Sequence, residues 1–284
     1  METIIGLGGA GCSIAKAFER YPQYSTYLID TENHKNKNSF LMKKQDSHEE
    51  YEKNCPDLRS FFSSVSGPCL FVLGAGKISG ASLAVLSQLR QHPISLLYIH
   101  PDEDCMMGEP GLLHSTVFGV LQEYTRSGMF EKMYIVQNSM LESVLQEVPV
   151  IGYHDKLNNF LVDTIHMVNV FNNTKAEFST FRDVAPAARI STFGVVDVEK
   201  NEEKLFFSLT MPREKRYYYG INRGQLETDG SFLRDLKDKM KEKLDGKTRI
   251  SYGIYSTEYE NSYGYVSCFS SLIQRPEYQQ EDNV

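Results

Sequence analysis

The sequence predicts an α/β protein with a parallel sheet covered by helices, a long central helix, and a second, smaller α+β domain with a mixed sheet. Short apolar runs alternate with helical patterns through the first 150 residues. An apolar helical pattern follows at His154–Asn172, and longer strand patterns with one amphipathic helix make up the remainder. Strand–helix alternation with nearly continuous apolar strands is typical of a parallel sheet buried on both faces.

The first predicted domain, residues 1–153, contains five strands with helices between them. The predicted strands are Thr3–Leu7, Ser25–Asp30, Cys69–Leu73, Ser95–His100 and Lys132–Gln137. The predicted helices are Ser13–Arg20, Ser79–Gln91 and Leu112–Arg126. Ligands of such sheets bind at the carboxyl ends of the strands, so binding residues are expected in the loops that follow each strand.

The second half of the chain begins with the central helix, assigned to residues 154–174. Its apolar residues lie on several faces, which indicates burial between layers. A smaller α/β domain is predicted at 175–276, and the polar tail 277–284 is expected to be loose. The predicted elements of that domain are the strands Ile190–Val198, Lys204–Met211, Arg249–Ser256 and Ser262–Leu272 and the helix Ser231–Leu244.

Composition excludes several classes of function. Hydrophobic residues make up 41% of the 284 residues, charged residues make up 24%, and the net charge is −7. Nucleic acid is not expected as a partner, because phosphate backbones select for clustered Lys and Arg. Membrane insertion is not expected, because no uncharged apolar run reaches about 18 residues. The protein is therefore expected in the cytoplasm.

The cysteines and histidines predict no metal site. The five cysteines are scattered and form no C-x-x-C pair, which is typical of reduced, buried thiols. The histidines at 100, 114, 154 and 166 share no ligand spacing.

The strongest motif is the glycine-rich run from Gly6 to Ser13. A strand enters, glycines allow a tight turn, and a helix N-terminus then directs free N–H groups at the turn. This arrangement binds phosphate and predicts a Rossmann-like, parallel-sheet nucleotide-binding domain. Gly6, Gly8 and Gly11 also satisfy G-x-G-x-x-G, and Asp30 lies 19 residues after Gly11, where a dinucleotide enzyme places its ribose-binding acid. An NAD-dependent oxidoreductase is therefore the first alternative.

A second glycine loop, Gly74–Gly80, follows the strand Cys69–Leu73. Two phosphate-type loops in one sheet suit a nucleotide that is held from both sides of its phosphates, whereas a dinucleotide fold does not need the second loop. A P-loop is not indicated, because Lys77 is followed by Ile78 and not by Ser or Thr.

The order of these motifs resembles the tubulin/FtsZ family over almost the whole chain. The opening resembles the first nucleotide loop of that family, and Gly74–Gly80 resembles its GGGTGTG loop. The other matches are Asp30–Asn33 with N-T-D, Ile135–Leu141 with I-V-x-x-N-x-x-L, Leu157–Leu161 with A-N-D-x-L, and the closing hairpin formed by Ile250–Gly253 and Tyr265–Ser271.

The resemblance implies roles for individual residues. Backbone amides would hold the phosphates, and Asn138 and Asn158 would face the ribose and the guanine base. Asp30 would close the second strand beside the nucleotide. The residues implied in phosphate binding are Gly8, Gly9, Ala10, Gly11 and Cys12 from the first loop, and Gly74, Ala75, Gly76, Lys77, Ile78, Ser79 and Gly80 from the second.

The chain departs from the family at the loops that act on the third phosphate. The family's catalytic loop, N-x-D-x-x-D, corresponds to Lys175–Thr180, so Glu177 is the candidate catalytic carboxylate and Thr180 cannot serve. Lys77 stands where the family has Thr, and Ile78 where it has Gly. No glycine occurs between Asn33 and Gly67, where the family has a glycine-rich loop near the γ-phosphate.

Together these features imply a guanine-nucleotide-binding protein that self-associates head-to-tail into filaments or rings, with weak or lost GTP hydrolysis. Its cofactor would be GTP or GDP, with or without Mg²⁺, and an adaptor or cargo stays unidentified. The short length and altered motifs suggest a bacterial or phage-infected cell. The second alternative is a structural protein that keeps the fold without nucleotide.

Overall fold

The computed structural model describes residues 2–102 and 109–275. Cys105 and the tail 277–284 lie outside the described residues. The chain divides into two compact units. The first comprises Met1–Val162 together with the segment that begins at Ile273, and the second is Asp163–Leu272.

The first unit is built on a wholly parallel sheet. The strands are β1 (Thr3–Leu7), β2 (Ser25–Asp30), β3 (Ser39–Leu41), β4 (Cys69–Gly74), β5 (Ile94–His100) and β6 (Lys132–Gln137). Their order in the sheet is β3-β2-β1-β4-β5-β6, and every neighbouring pair runs parallel. The five predicted strands are confirmed: β1, β2, β4 and β5 are buried almost throughout, and β6 buries Met133, Ile135 and Val136.

The helices of this unit follow the strands. They are α1 (Gly8–Ala17), α2 (His48–Lys53), α3 (Ser82–Ser87), α4 (Glu109–Arg126) and α5 (Asn138–Leu145). The long helix α6 (Tyr153–Asn172) begins in this unit and continues beyond Val162 into the second. The predicted start of α1 at Ser13 was wrong, because Gly8 adopts φ +73° and turns the chain directly from strand into helix. The predicted helix Ser79–Gln91 is also shorter, with a 3₁₀ turn at Lys77–Ala81 before α3.

The second unit contains a mixed sheet. Its strands are β7 (Phe178–Ser179), β8 (Ile190–Asp197), β9 (Glu202–Leu205), β10 (Glu214–Asn222), β11 (Arg249–Thr257) and β12 (Tyr263–Ser270). Their order is β8-β12-β10-β11-β7, with β9 paired to β8, and only β10 and β11 run parallel among the described pairs of this unit. Two helices, α7 (Arg223–Thr228) and α8 (Phe232–Glu242), complete it.

Two predictions for this unit were wrong or incomplete. The predicted strand Lys204–Met211 is the shorter β9, which ends at Leu205. The long strand β10 was not predicted, because it begins with three charged residues, Glu214, Lys215 and Arg216. Pairing makes these charges compatible with a strand: Glu214 bonds Arg216 at 2.7 Å and also pairs with Arg249.

The core of the second unit lies between its sheet and α8. Leu236 and Met240 are buried on the inner face of α8 against Tyr217 and Tyr219 of β10, as its amphipathic pattern predicts. No helix within residues 2–102 and 109–275 is long and apolar enough to cross a membrane.

Candidate functional site

The two glycine loops leave the sheet from neighbouring strands at the same edge. In the register of β1 and β4, Leu7 lies opposite Leu73, so Gly8 and Gly74 begin their loops side by side. The connection through α1 leads to β2 on one side of β1, whereas β4 lies on the other side. This reversal of strand order leaves a crevice, which is the usual ligand site of an open α/β sheet.

The first loop is held by close backbone packing. A β-carbon on Gly6 would overlap the carbonyl oxygen of Gly11, and one on Gly11 would overlap the carbonyl oxygen of Val72 in β4. Any larger side chain at either position would push α1 off β1 and β4. These two glycines therefore set the distance of the helix from the sheet.

The open face of the first loop consists of Gly9 and Ala10. Both are exposed, and a β-carbon on Gly9 would meet nothing within 4 Å. Helix α1 has no side-chain cap and no acidic residue in its first turn. Its first N–H groups and the positive end of its dipole are therefore available to an anion, whereas Gly11 and Cys12 are buried below.

The second loop closes over the first at two points. A β-carbon on Gly74 would lie 3.4 Å from the Cβ of Ala10, and one on Gly8 would lie 2.5 Å from Cγ2 of Ile78. A β-carbon on Gly76 would meet nothing within 4 Å, so this part of the loop is open. The two loops thus form a continuous cradle whose open positions, Gly9 and Gly76, carry no side chain that would fill it.

The far half of the second loop packs on α2. Nζ of Lys77 donates to the carbonyl oxygen of Asp46 at 3.0 Å, and Oγ of the buried Ser79 lies 3.4 Å from Nε2 of His48. A β-carbon on Gly80 would overlap the backbone of His48. Burial lowers the pKa of His48, and its Nδ1 has no hydrogen-bond partner among the described residues. Of the predicted phosphate-binding residues, Ser79 and Gly80 therefore support the loop from behind.

Asp30 lies at the end of β2 and is buried. One carboxylate oxygen accepts the N–H of Thr31 at 2.7 Å, and the other lies 2.8 Å from Nε2 of His34. Burial, with the carboxylate of Asp30, raises the pKa of the neighbouring Cys12 thiol to about 12. Both carboxylate oxygens of Asp30 are thus engaged within the chain.

Asn138 begins α5 directly after β6 and is half-buried at the carboxyl edge of the sheet. The turn before it is held by Asp102, which follows β5. Oδ1 of Asp102 accepts two hydrogen bonds, one from the backbone N–H of Ser139 and one from Nε2 of Gln137, both at 3.3 Å. Asp102, which could not be recognised from sequence, therefore positions Asn138.

Asn158 lies in the second turn of α6 and is half-buried. The next residue, Asn159, accepts a hydrogen bond on its carbonyl oxygen from Nη2 of Arg20 at 2.8 Å. Arg20 ends the 3₁₀ turn that follows α1. This contact ties the start of α6 to the segment that follows the first glycine loop.

Glu177 lies in the second unit and the cradle in the first, so the structure does not bring them together within one unit. Glu177 is exposed and lines a groove of about 520 Å³ with Phe178, Arg223 and Ile254. The pKa of Arg223 is raised by Glu227 first, with Glu177 also contributing.

Thr180 has a structural role. Its N–H donates to the carbonyl oxygen of Tyr252 at 2.9 Å, and its Oγ1 accepts the N–H of Tyr252 at 2.9 Å. Thr180 therefore holds the segment after β7 to β11, and Glu177 is the carboxylate within Lys175–Thr180.

A buried chain of hydrogen bonds joins two histidines that the sequence spacing did not link. The hydroxyl of Tyr98 lies 2.7 Å from Nδ1 of His114, whose Nε2 lies 3.3 Å from Nε2 of His100. Nδ1 of His100 donates to the carbonyl oxygen of Pro101 at 2.8 Å. Burial, followed by the neighbouring His100, lowers the pKa of His114 to about 3, so the pair is neutral at pH 7.

Comparison with solved structures identifies the fold. No protein-family profile and no curated protein matches the sequence. The chain superposes on a GTPγS-form protofilament of TubZ from Bacillus thuringiensis serovar israelensis with a TM-score of 0.72 and 14% identity, over 95% of this chain and 86% of that one. The chain has the tubulin/FtsZ fold. CetZ1 from Haloferax volcanii, a GDP-bound monomer, has the same fold, with a TM-score of 0.67 and 15% identity over 99% of this chain and 97% of that one. An empty FtsZ dimer from M. jannaschii gives a TM-score of 0.63 and 11% identity over 99% of this chain and 94% of that one.

The tubulin/FtsZ fold accounts for the architecture of each unit. It confirms the predicted fold class, a Rossmann-like parallel-sheet domain followed by a smaller domain with a mixed sheet. At 11–15% identity the similarity establishes the fold alone.

Proposed function

We propose that this chain binds a guanine nucleotide in the cradle between Gly8 and Gly80 and self-associates head-to-tail. The observation that carries the proposal is the pair of glycine loops on β1 and β4, which present uncapped amides and open positions at Gly9 and Gly76. A phosphate placed there would receive backbone hydrogen bonds and the favourable field of α1. Mg²⁺ would need few protein ligands, because it is usually held largely by nucleotide phosphates and water.

Head-to-tail association is proposed because the two candidate groups belong to different units and because proteins of the same fold form protofilaments. The cradle belongs to the first unit and Glu177 to the second. A heterologous contact that repeats along the chain of subunits gives filaments or rings. TubZ, which shares the fold, has been solved as protofilaments in a GTPγS form and in a GDP form. This likeness supports self-association of the present chain.

Hydrolysis is proposed to be weak, because the stretch Lys175–Thr180 supplies one exposed carboxylate, Glu177, and Thr180 is committed to β11. A single carboxylate can still activate a water molecule as a general base. Glu177 is the residue that would do so on the nucleotide of the next copy.

The test is to denature the natively purified chain, identify any released nucleotide by chromatography, and measure GTP binding and pelleting. The key variant is Gly9→Glu, which fits the open position but places a negative charge where phosphate would lie. Gly119→Glu in α4 is the matched control, since a β-carbon at Gly119 also meets nothing within 4 Å.

Guanine nucleotide that binds the control but is lost from Gly9→Glu would support the proposal. Release of NAD would overturn it in favour of a dinucleotide enzyme. Assembly of the wild-type chain without any nucleotide, and unchanged in Gly9→Glu, would leave a structural protein of the tubulin fold.

A further inference from the structure

Three side chains of metal-ligand type converge beneath the first glycine loop. Sγ of Cys12 in α1, a carboxylate oxygen of Asp30 at the end of β2, and a ring nitrogen of His34 in the following loop all lie within 4.8 Å of one another. Cys12 and Asp30 are buried, and the side chain of His34 is 12% exposed. No other group of three or more such ligands occurs in the part of the chain that the structure describes.

The chemistry of the three ligands selects one class of ion. A thiolate is a soft ligand that Mg²⁺ and Ca²⁺ do not use, whereas thiolate, imidazole and carboxylate are the ligands of Zn²⁺ in proteins. A Cys thiolate and an Asp carboxylate carry two negative charges, and a neutral imidazole carries none. A divalent ion would make this buried cluster electrically neutral, which removes the large cost of burying unpaired charge.

We propose that Cys12, Asp30 and His34 form a zinc site. In a tetrahedral site, bonds of about 2.0 Å to nitrogen or oxygen and about 2.3 Å to sulfur place neighbouring ligand atoms about 3 to 4 Å apart. The separations here, 2.8 Å between Asp30 and His34 and up to 4.8 Å within the cluster, are within about 1 Å of that requirement. Small rotations of the Cys12 and His34 side chains would close the site.

The cluster without an ion leaves the thiol weakly bonded. Sγ of Cys12 makes two long contacts, to the carbonyl oxygens of Gly6 at 3.4 Å and Ile29 at 3.5 Å. On zinc binding the thiol releases its proton to solvent. His34 coordinates through Nε2 with its proton on Nδ1, and its hydrogen bond to Asp30 is replaced by two bonds to zinc. Because a proton is released, zinc affinity rises with pH.

The ion would join three separate segments of the first unit. It would link α1 to the end of β2 and to the loop that leads towards β3. Three protein ligands leave a fourth position for water or for an oxygen of a bound molecule. This site is independent of the proposed function, because none of its ligands needs nucleotide to come together.

The test is cobalt titration of the metal-free full-length chain, because Co²⁺ occupies zinc sites and its bond to a thiolate gives a near-ultraviolet charge-transfer band. One equivalent is expected to bind with this band, and added Zn²⁺ is expected to abolish it. Cys12→Ser is expected to lose the band, and His34→Ala to weaken zinc binding at least about tenfold. Cys69→Ser is the matched control, since Cys69 is also a buried thiol on a neighbouring segment and lies outside the cluster.

Absence of a stoichiometric thiolate band in the wild-type chain would overturn the proposal, as would a band that persists in Cys12→Ser. If Cys12→Ser fails to fold, the loop variant His34→Ala decides the matter: unchanged zinc affinity would refute the site. Guanine-nucleotide binding is measured separately on the same samples. If the chain binds nucleotide but not cobalt, only the zinc site is refuted. If it binds cobalt but not nucleotide, only the proposed nucleotide binding is refuted.

Discussion

Gly8 and Ile78, which lie 70 residues apart, pack directly against each other and join the two glycine loops. A β-carbon at Gly8 would lie 2.5 Å from Cγ2 of Ile78, and Gly8 also adopts φ +73°. The family that this sequence resembles has a glycine at the position of Ile78. The side chain of Ile78 therefore adds a direct contact between the loops at the edge of the cradle.

The contact predicts energetic coupling between these positions. Gly8→Ala is expected to destabilise the chain by about 2 to 3 kcal/mol, because a left-handed backbone and a steric clash act together. In an Ile78→Ala background the clash is removed, and the same change is expected to cost about 1 to 2 kcal/mol. Denaturant unfolding of the four proteins of this double-mutant cycle measures the difference; equal costs in both backgrounds would mean that the contact is absent.

The buried histidine pair predicts acid sensitivity. The pKa of His114 is lowered to about 3 from 6.5, so the unfolded chain binds a proton that the folded chain does not. Stability from this group is complete above pH 6.5 and is lost as the pH falls towards 3. Between pH 7.5 and 5.5 the loss should be about 1.4 kcal/mol. Urea unfolding at both pH values measures this loss of stability. We expect His114→Gln to lose less stability between pH 7.5 and 5.5 than the exposed control His154→Gln, and equal losses would contradict the prediction.

A buried and an exposed carboxylate of the second unit are expected to contribute very different amounts to stability. Glu214 is 2% exposed and pairs with Arg216 and Arg249, whereas the side chains of the Glu227–Arg223 pair are 62% and 66% exposed. Glu214→Ala should cost about 2 to 3 kcal/mol, because it removes the shared carboxylate of two guanidinium groups, of which that of Arg216 is only 14% exposed. Glu227→Ala should cost less than about 1 kcal/mol. Similar values for the two variants in thermal or denaturant unfolding would show that burial does not decide the strength of these pairs.

Any GTP turnover by the assembled protein is expected to depend on Glu177. Glu177→Gln keeps the shape of the side chain but removes the base, so turnover per subunit should fall about 100-fold while pelleting is retained. Glu202→Gln, an exposed carboxylate on β9, is the control. Undiminished phosphate release from Glu177→Gln polymers would exclude Glu177 as the base.

Local sequence was sufficient for the elements with strong apolar patterns. The runs Thr3–Leu7, Ser25–Asp30 and Lys132–Gln137 are strands with the predicted bounds, because their apolar residues are buried within a parallel sheet. The strand β10 escaped prediction for the opposite reason. Its charged start becomes compatible with a strand only when Arg249, 35 residues after Glu214, comes alongside.

The sequence by itself determined that two glycine loops follow two strands, since glycine spacing and apolar runs are local properties of the chain. Tertiary structure alone decided which members of those loops are open: Gly9 and Gly76 face empty space, whereas Gly11 packs on Val72 and Gly80 packs on His48. It also decided that Cys12 and His34 meet at Asp30. Parallel pairing of β1 with β2 brings together residues that no sequence spacing connects, and side-chain proximity across strands depends on that pairing.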